Sequence, residues 1–123
     1  MTRVLVATAS VHTTAAACDY LEGRLDGDDT VVVLTVEDDT VAGRDAGDAA
    51  NVARTRLFEP TVEPITGEGE PATEIQVVAE QEAIDEIVLG QVRGDPDVAG
   101  DPPGSTVRTV LSETDLPVVV LPV

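Results

Sequence analysis

Unbroken apolar runs and helix-spaced apolar stripes take turns along this chain. Val4–Ala7, Val31–Val36 and Val118–Leu121 are short and almost wholly apolar, and Ile84–Leu89 ends in such a run. That is the form of parallel strands buried on both faces. Thr61–Thr66 also reads as a strand, but Pro64 cannot donate to a ladder on both sides, which predicts an edge position. Between the runs the period changes to that of a helix. Thr14, Ala17, Cys18, Leu21 and Leu25 recur at helical spacing, with Thr13 as their expected cap. Gly27-Asp28-Asp29 ends that element, its two acids read as solvated loop charges. After a polar stretch over 37–45, Ala46, Ala49, Ala50, Ala53 and Leu57 form a small-residue stripe. Gly67 to Pro71 is a turn, with the proline placed to open a helix whose inner face is Ile75, Val78 and Ala79. Ser105 is the expected cap of a last helix with Val107, Val110 and Leu111 inward.

The order is therefore β-α-β-α-β-α-β-loop-α-β. Strict alternation predicts one domain over residues 1–123: a doubly wound, five-stranded parallel sheet with helices on both faces. Such sheets bind ligands beyond the carboxyl ends of the strands, where strand order reverses. The segments Thr8–Thr13, Val36–Asp38 and Gly90–Ser105 are expected around one crevice there.

Composition sharpens this picture. The 123 residues are 42% hydrophobic, with one Tyr, one Phe and no Trp, so the core must be aliphatic. The net charge is −17, and all seven basic residues are arginine. A populated core argues against disorder, so the acids belong to a folded surface. At molar salt the Debye length is about 3 Å, which would screen their mutual repulsion. A cytoplasmic protein of a high-salt interior is expected. Such charge excludes nucleic acid and anionic membranes as general partners. The single cysteine excludes an internal disulfide. No stretch approaches the roughly 20 apolar residues of a membrane span, and the first residues lack the form of a signal peptide.

The chemistry concentrates in the loop from Gly90 to Thr106. Gly94, nine residues, Gly104 and Ser105 is a specific spacing that ends on a helix start. Gly104 lets backbone approach a ligand, and the free N–H groups and the Ser105 and Thr106 hydroxyls would face its phosphates. Against that stand Asp95, Asp97 and Asp101 within the same loop, where Arg93 supplies a cation. The alternative is a helix cap preceded by a flexible loop.

From Gly69 onward the chain resembles the C-terminal half of the universal stress protein family. The matching stretches are Gly69-Glu-Pro-Ala-Thr-Glu-Ile, Ile84-Asp-Glu-Ile-Val-Leu-Gly, Gly104-Ser-Thr-Val-Arg-Thr-Val-Leu and Leu116-Pro-Val-Val-Val-Leu, and Arg3-Val-Leu-Val-Ala resembles the family's first strand. The resemblance implies a Rossmann-like sheet of the adenine-nucleotide alpha-hydrolase-like kind. It also implies a homodimer paired through the last strand, Val118–Leu121, and ATP or AMP in some members and none in others. The family's nucleotide pattern places Gly90, Gly94, Gly104, Ser105 and Thr106 at the phosphates, and the backbone of Val36 at adenine.

Two departures matter. Three residues separate Gly90 from Gly94 where the pattern has two, and Ala9 stands where nucleotide binders carry an Asp near adenine. A charge pair at 4 Å is worth about 1 kcal/mol in water. Three aspartates near a triphosphate therefore cost a few kcal/mol, on the order of a hundredfold in affinity. A divalent cation such as Mg²⁺ between Asp and phosphate would reverse that sign. The expected function is a dimeric stress-response and regulatory module with a degenerate ATP site. The alternative is a functional ATP- or AMP-binding stress protein using Gly90–Thr106. No catalytic pair or metal cluster can be assembled from the sequence, so at most slow hydrolysis is expected. His12 reads as a polar loop residue and Cys18 as core packing.

Overall fold

The computed structural model describes residues 1–8, 11–37, 43–90 and 105–122. Its elements follow the expected alternation: β1 (Arg3–Thr8), α1 (Val11–Leu21), β2 (Thr30–Glu37), α2 (Gly43–Arg56), β3 (Thr61–Glu68), α3 (Pro71–Gln81), β4 (Glu86–Gly90), α4 (Ser105–Glu113) and β5 (Val118–Leu121). The five strands form one parallel sheet in the order β3-β2-β1-β4-β5. Strand order reverses between β1 and β4, so the carboxyl ends of those two strands make the switch point.

Side chains alternate across the sheet, and the two faces fill separately. Val4, Val6, Val31, Val33 and Val88 meet Ala17, Cys18 and Leu21 of α1 and Ala53 of α2. On the other face Leu5, Val32, Leu34, Val36, Ile87 and Leu89 meet Ala72, Ile75 and Val78 of α3 and Val107 and Val110 of α4. Continuous valine runs serve a sheet covered on both sides because every residue, odd or even, faces a helix. The small residues of α2 let it approach the sheet closely.

Both edges lie where the sequence puts them. β3 is one edge, and its Pro64 is exposed there opposite Val33. β5 is the other. Pro71 opens α3, with Glu70 as its cap. The Glu70 carboxylate accepts from the N–H groups of Ala72 (3.3 Å) and Thr73 (3.0 Å) and from the Thr73 hydroxyl (2.9 Å). These bonds hold its carboxyl below the usual glutamate range, the Thr73 hydroxyl contributing most.

Four local expectations are corrected. Thr13 is not a cap: α1 already begins at Val11, and Thr13 lies buried inside it. Leu25 falls beyond the end of α1, although it still packs partly buried on the core. Leu111 is 50% exposed. Val107 and Val110 claim the inner face of α4, and the sheet ends at β5 without a further strand to cover a wider stripe. Asp29 is not a solvated charge but is buried. Its carboxylate accepts from the N–H groups of Thr2 (2.7 Å) and Asp26 (2.8 Å), which ties the start of the chain to the entrance of β2.

The amino-terminal edge of the sheet is further closed by Arg3. Its guanidinium pairs with Glu82 at 3.0 Å and Glu63 at 3.7 Å, and its backbone N–H donates to Asp85. Nearby, Tyr20 at the end of α1 lies under the Arg24 guanidinium at 4.4 Å, with its hydroxyl 3.4 Å from the Glu86 carboxylate of β4.

Candidate functional site

At the carboxyl edge the ends of β2, β1 and β4 lie side by side and outline the crevice. The β1–β2 ladder runs to Thr8 opposite Thr35, whereas the β2–β3 ladder continues through Val36–Gly67 to Glu37–Glu68. The last described pair of β1 and β2 thus lies two positions before the last described pair of β2 and β3. The Val36 side chain is buried in the core beneath α3 and α4. What Val36 can offer a ligand is accordingly main chain.

Of the helices that start at this edge, two follow the strands of the switch point. α1 begins three positions after β1 ends, and α4 follows β4. Neither carries an acid in its first turn, although acids fill a fifth of this chain and are favoured at helix N-termini. In α4 that turn instead holds the half-buried Thr106 and the exposed Arg108. The end of β1 is locked to α1 by a 3.0 Å hydrogen bond from the Thr14 hydroxyl to that of Thr8, both buried, with Thr13 and Thr35 buried beside them. A row of threonines at this position supplies polar groups without charge.

Of the expected phosphate-side residues, Gly90 is the last residue of β4, Ser105 the first of α4, and Thr106 follows it. Val36 and Gly90 share this edge with β1 between them, two strand spacings or about 10 Å apart. Gly94 and Gly104 lie outside the described residues, as do Ala9, Asp38, Arg93, Asp95, Asp97 and Asp101. His12 is exposed at the start of α1. Cys18 is buried among apolar side chains, and that burial pushes its thiol up to about 11, which makes it a packing group.

One residue at this edge escaped the sequence reading. The Glu74 carboxylate of α3 lies over Gly67, where an added Cβ would come within 2.9 Å of its Oε2. Gly67 is the register partner of Val36. A glycine inside a strand signals a close approach, but from sequence Gly67 reads as part of the turn rather than of β3. Among the described residues, no group of three or more His, Cys, Asp or Glu side chains is placed to hold a metal, and no helix is long and apolar enough to cross a membrane.

The match that decides kinship covers residues 35–122, which fit the universal stress protein family. The chain belongs to that family. Solved structures agree in fold. Universal stress protein UspA from Lactobacillus plantarum is 23% identical with a TM-score of 0.73, covering 98% of this chain and 97% of its own. A universal stress protein from Archaeoglobus fulgidus in complex with dAMP is 17% identical with a TM-score of 0.66, covering 98% and 97%. A universal stress protein family protein from Arabidopsis thaliana with AMP bound is 16% identical with a TM-score of 0.68, covering 98% and 91%. No curated protein matches the sequence. The universal stress protein fold thus spans nearly the whole chain, and its five-stranded parallel sheet is the one described above.

Proposed function

We propose that this universal stress protein is a dimeric, cytoplasmic regulatory module whose adenine-nucleotide cleft is degenerate: its frame persists, and its affinity for ATP or AMP is low. The observation that carries the frame is the strand order, which puts Val36 of β2 and Gly90 of β4 on either side of β1 at one carboxyl edge. Ala9, the extra residue before Gly94 and the acids at 95, 97 and 101 carry the degeneracy. Val36 would meet the base, and Gly90, Gly94, Gly104, Ser105 and Thr106 the phosphates. Mg²⁺ would be needed to offset the loop acids. No residue is assigned a catalytic role.

Calorimetry with ATP and Mg²⁺ in molar KCl tests this reading. Flat titrations, or saturation only at millimolar nucleotide, are the expected result. Submicromolar binding would replace it with the second reading, a fully functional ATP or AMP site. That reading is favoured by the AMP and dAMP complexes of the two structural relatives.

Support for the dimer comes from β5. It is an edge strand whose Val118, Val119 and Val120 stay only half-buried on both faces, a surface that invites pairing with a second copy. Sedimentation equilibrium in molar KCl should give a dimer, and Val120→Lys a folded monomer. A wild-type monomer would refute the pairing.

A further inference from the structure

We propose that Glu74 is the specificity residue of the cleft, its carboxylate accepting a hydrogen bond from the exocyclic amino group of a 6-aminopurine. The inference rests on the reading that adenine enters beside Val36, and adds the group that selects it. Glu74 reaches the carboxyl edge from the first turn of α3, across the strand neighbouring Val36. It can do so because Gly67 has no side chain: any Cβ there would come within 2.9 Å of Glu74 Oε2 and 3.4 Å of its Cγ and Cδ. The glycine and the carboxylate are therefore one device, a strand end left bare so that an acceptor can lie on it.

Three further observations point the same way. Glu74 is partly buried, yet its carboxylate has no hydrogen-bond or ion-pair partner among the described residues. Its neighbour Glu70, by contrast, already accepts three hydrogen bonds in capping α3. Ala9 removes the side-chain acceptor expected near the base, so the cleft needs another source for that bond. Charge placement also suits a base rather than a phosphate. Glu68 and Glu74 lie at the β2–β3 side, while the first turn of α4 offers Arg108 and no acid.

The chemistry is selective by sign. An adenine amino group donates to the carboxylate. Hypoxanthine and guanine present a carbonyl oxygen at the same ring position, so in the pose adenine takes two acceptors would face each other, and the base would have to shift to offer its N1–H instead. Bonds to a charged acceptor are strong enough to separate the two purine classes by about tenfold or more in affinity.

AMP and IMP, titrated in parallel into the full chain in 2 M KCl, test this directly, because the two ligands share ribose and phosphate. The wild type should bind AMP at least about tenfold more tightly than IMP. Glu74→Ala should bring the ratio close to one while leaving IMP affinity within about twofold. Glu74→Gln, whose amide can also donate, should improve IMP binding. Gly67→Ala should lower the ratio by displacing the flexible Glu74 side chain without unfolding the edge strand. A ratio unchanged in Glu74→Ala would overturn the role of Glu74 and leave the cleft standing. Flat titrations of both nucleotides at millimolar concentration would overturn the adenine reading and this inference with it.

Discussion

The backbone N–H of Thr2 donates to the carboxylate of Asp29 across 2.7 Å, joining residues 27 positions apart at the amino-terminal edge of the sheet. Bonds from the backbone N–H groups of Asp26 and Thr2, in that order, hold the Asp29 carboxyl below its ordinary value. A lowered folded pKa stabilises the fold above the unfolded pKa of about 4 and loses that contribution as pH falls through the folded value. Thermal unfolding of the wild type should therefore steepen in its acid limb below about pH 4. Asp29→Asn should have a lower Tm near neutral pH and a shallower acid limb. Equal pH profiles for the two proteins would show that this bond does not matter to stability.

Val110 and Leu111 are sequence neighbours with opposite fates, the first fully buried and the second half-exposed. Val110→Ala removes apolar volume between α4 and the sheet and should cost about 2 kcal/mol. Leu111→Ala should stay within about 0.5 kcal/mol, as surface changes do. Urea unfolding of the two variants in the same KCl concentration measures the difference.

The net charge of −17 makes self-repulsion a term that salt can switch. Raising KCl from 0.1 M to 1 M shortens the Debye length from about 10 Å to about 3 Å. Tm should rise steeply over that range and then level off. A Tm that stays constant from dilute buffer upward would count against adaptation to a salty interior.

Cys18 should resist thiol reagents. With its thiol pushed up to about 11 by burial, little thiolate exists at pH 8. Labelling of the native protein should be slow and should follow global unfolding. Rapid labelling at pH 8 would show that α1 opens locally.

The sheet was legible in the residues because a strand covered on both faces announces itself: Val31 to Leu34 can scarcely be anything else. Pro64 likewise named an edge, since a proline cannot serve two ladders. Element order then placed Val36 and Gly90 at the same end of the sheet. What stayed hidden was set by contacts between distant positions. Asp29 has the same local signature as Asp28, and the N–H groups of Asp26 and Thr2 that converge on it separate the buried acid from the exposed one. Glu70 caps a helix through a side chain longer than those usually found there, so Pro71 signals the helix start and its capping partner carries no signal. Gly67 reads as a turn residue until the β2–β3 register extends past it and Glu74 is found lying over it. Leu111 fits the periodicity of α4 and is exposed because the sheet stops at β5, which no local pattern records.

Tyr20 gives the protein an optical handle of an unusual kind. With one tyrosine and no tryptophan, ultraviolet emission comes essentially from one ring. That ring is held between the Arg24 guanidinium and the Glu86 carboxylate, where the end of α1 meets the beginning of β4. It reports the docking of helix on strand at the edge opposite the crevice. A purine stacking at the carboxyl ends would leave this emission unquenched by contact, so a change on titration would register movement through the body of the sheet.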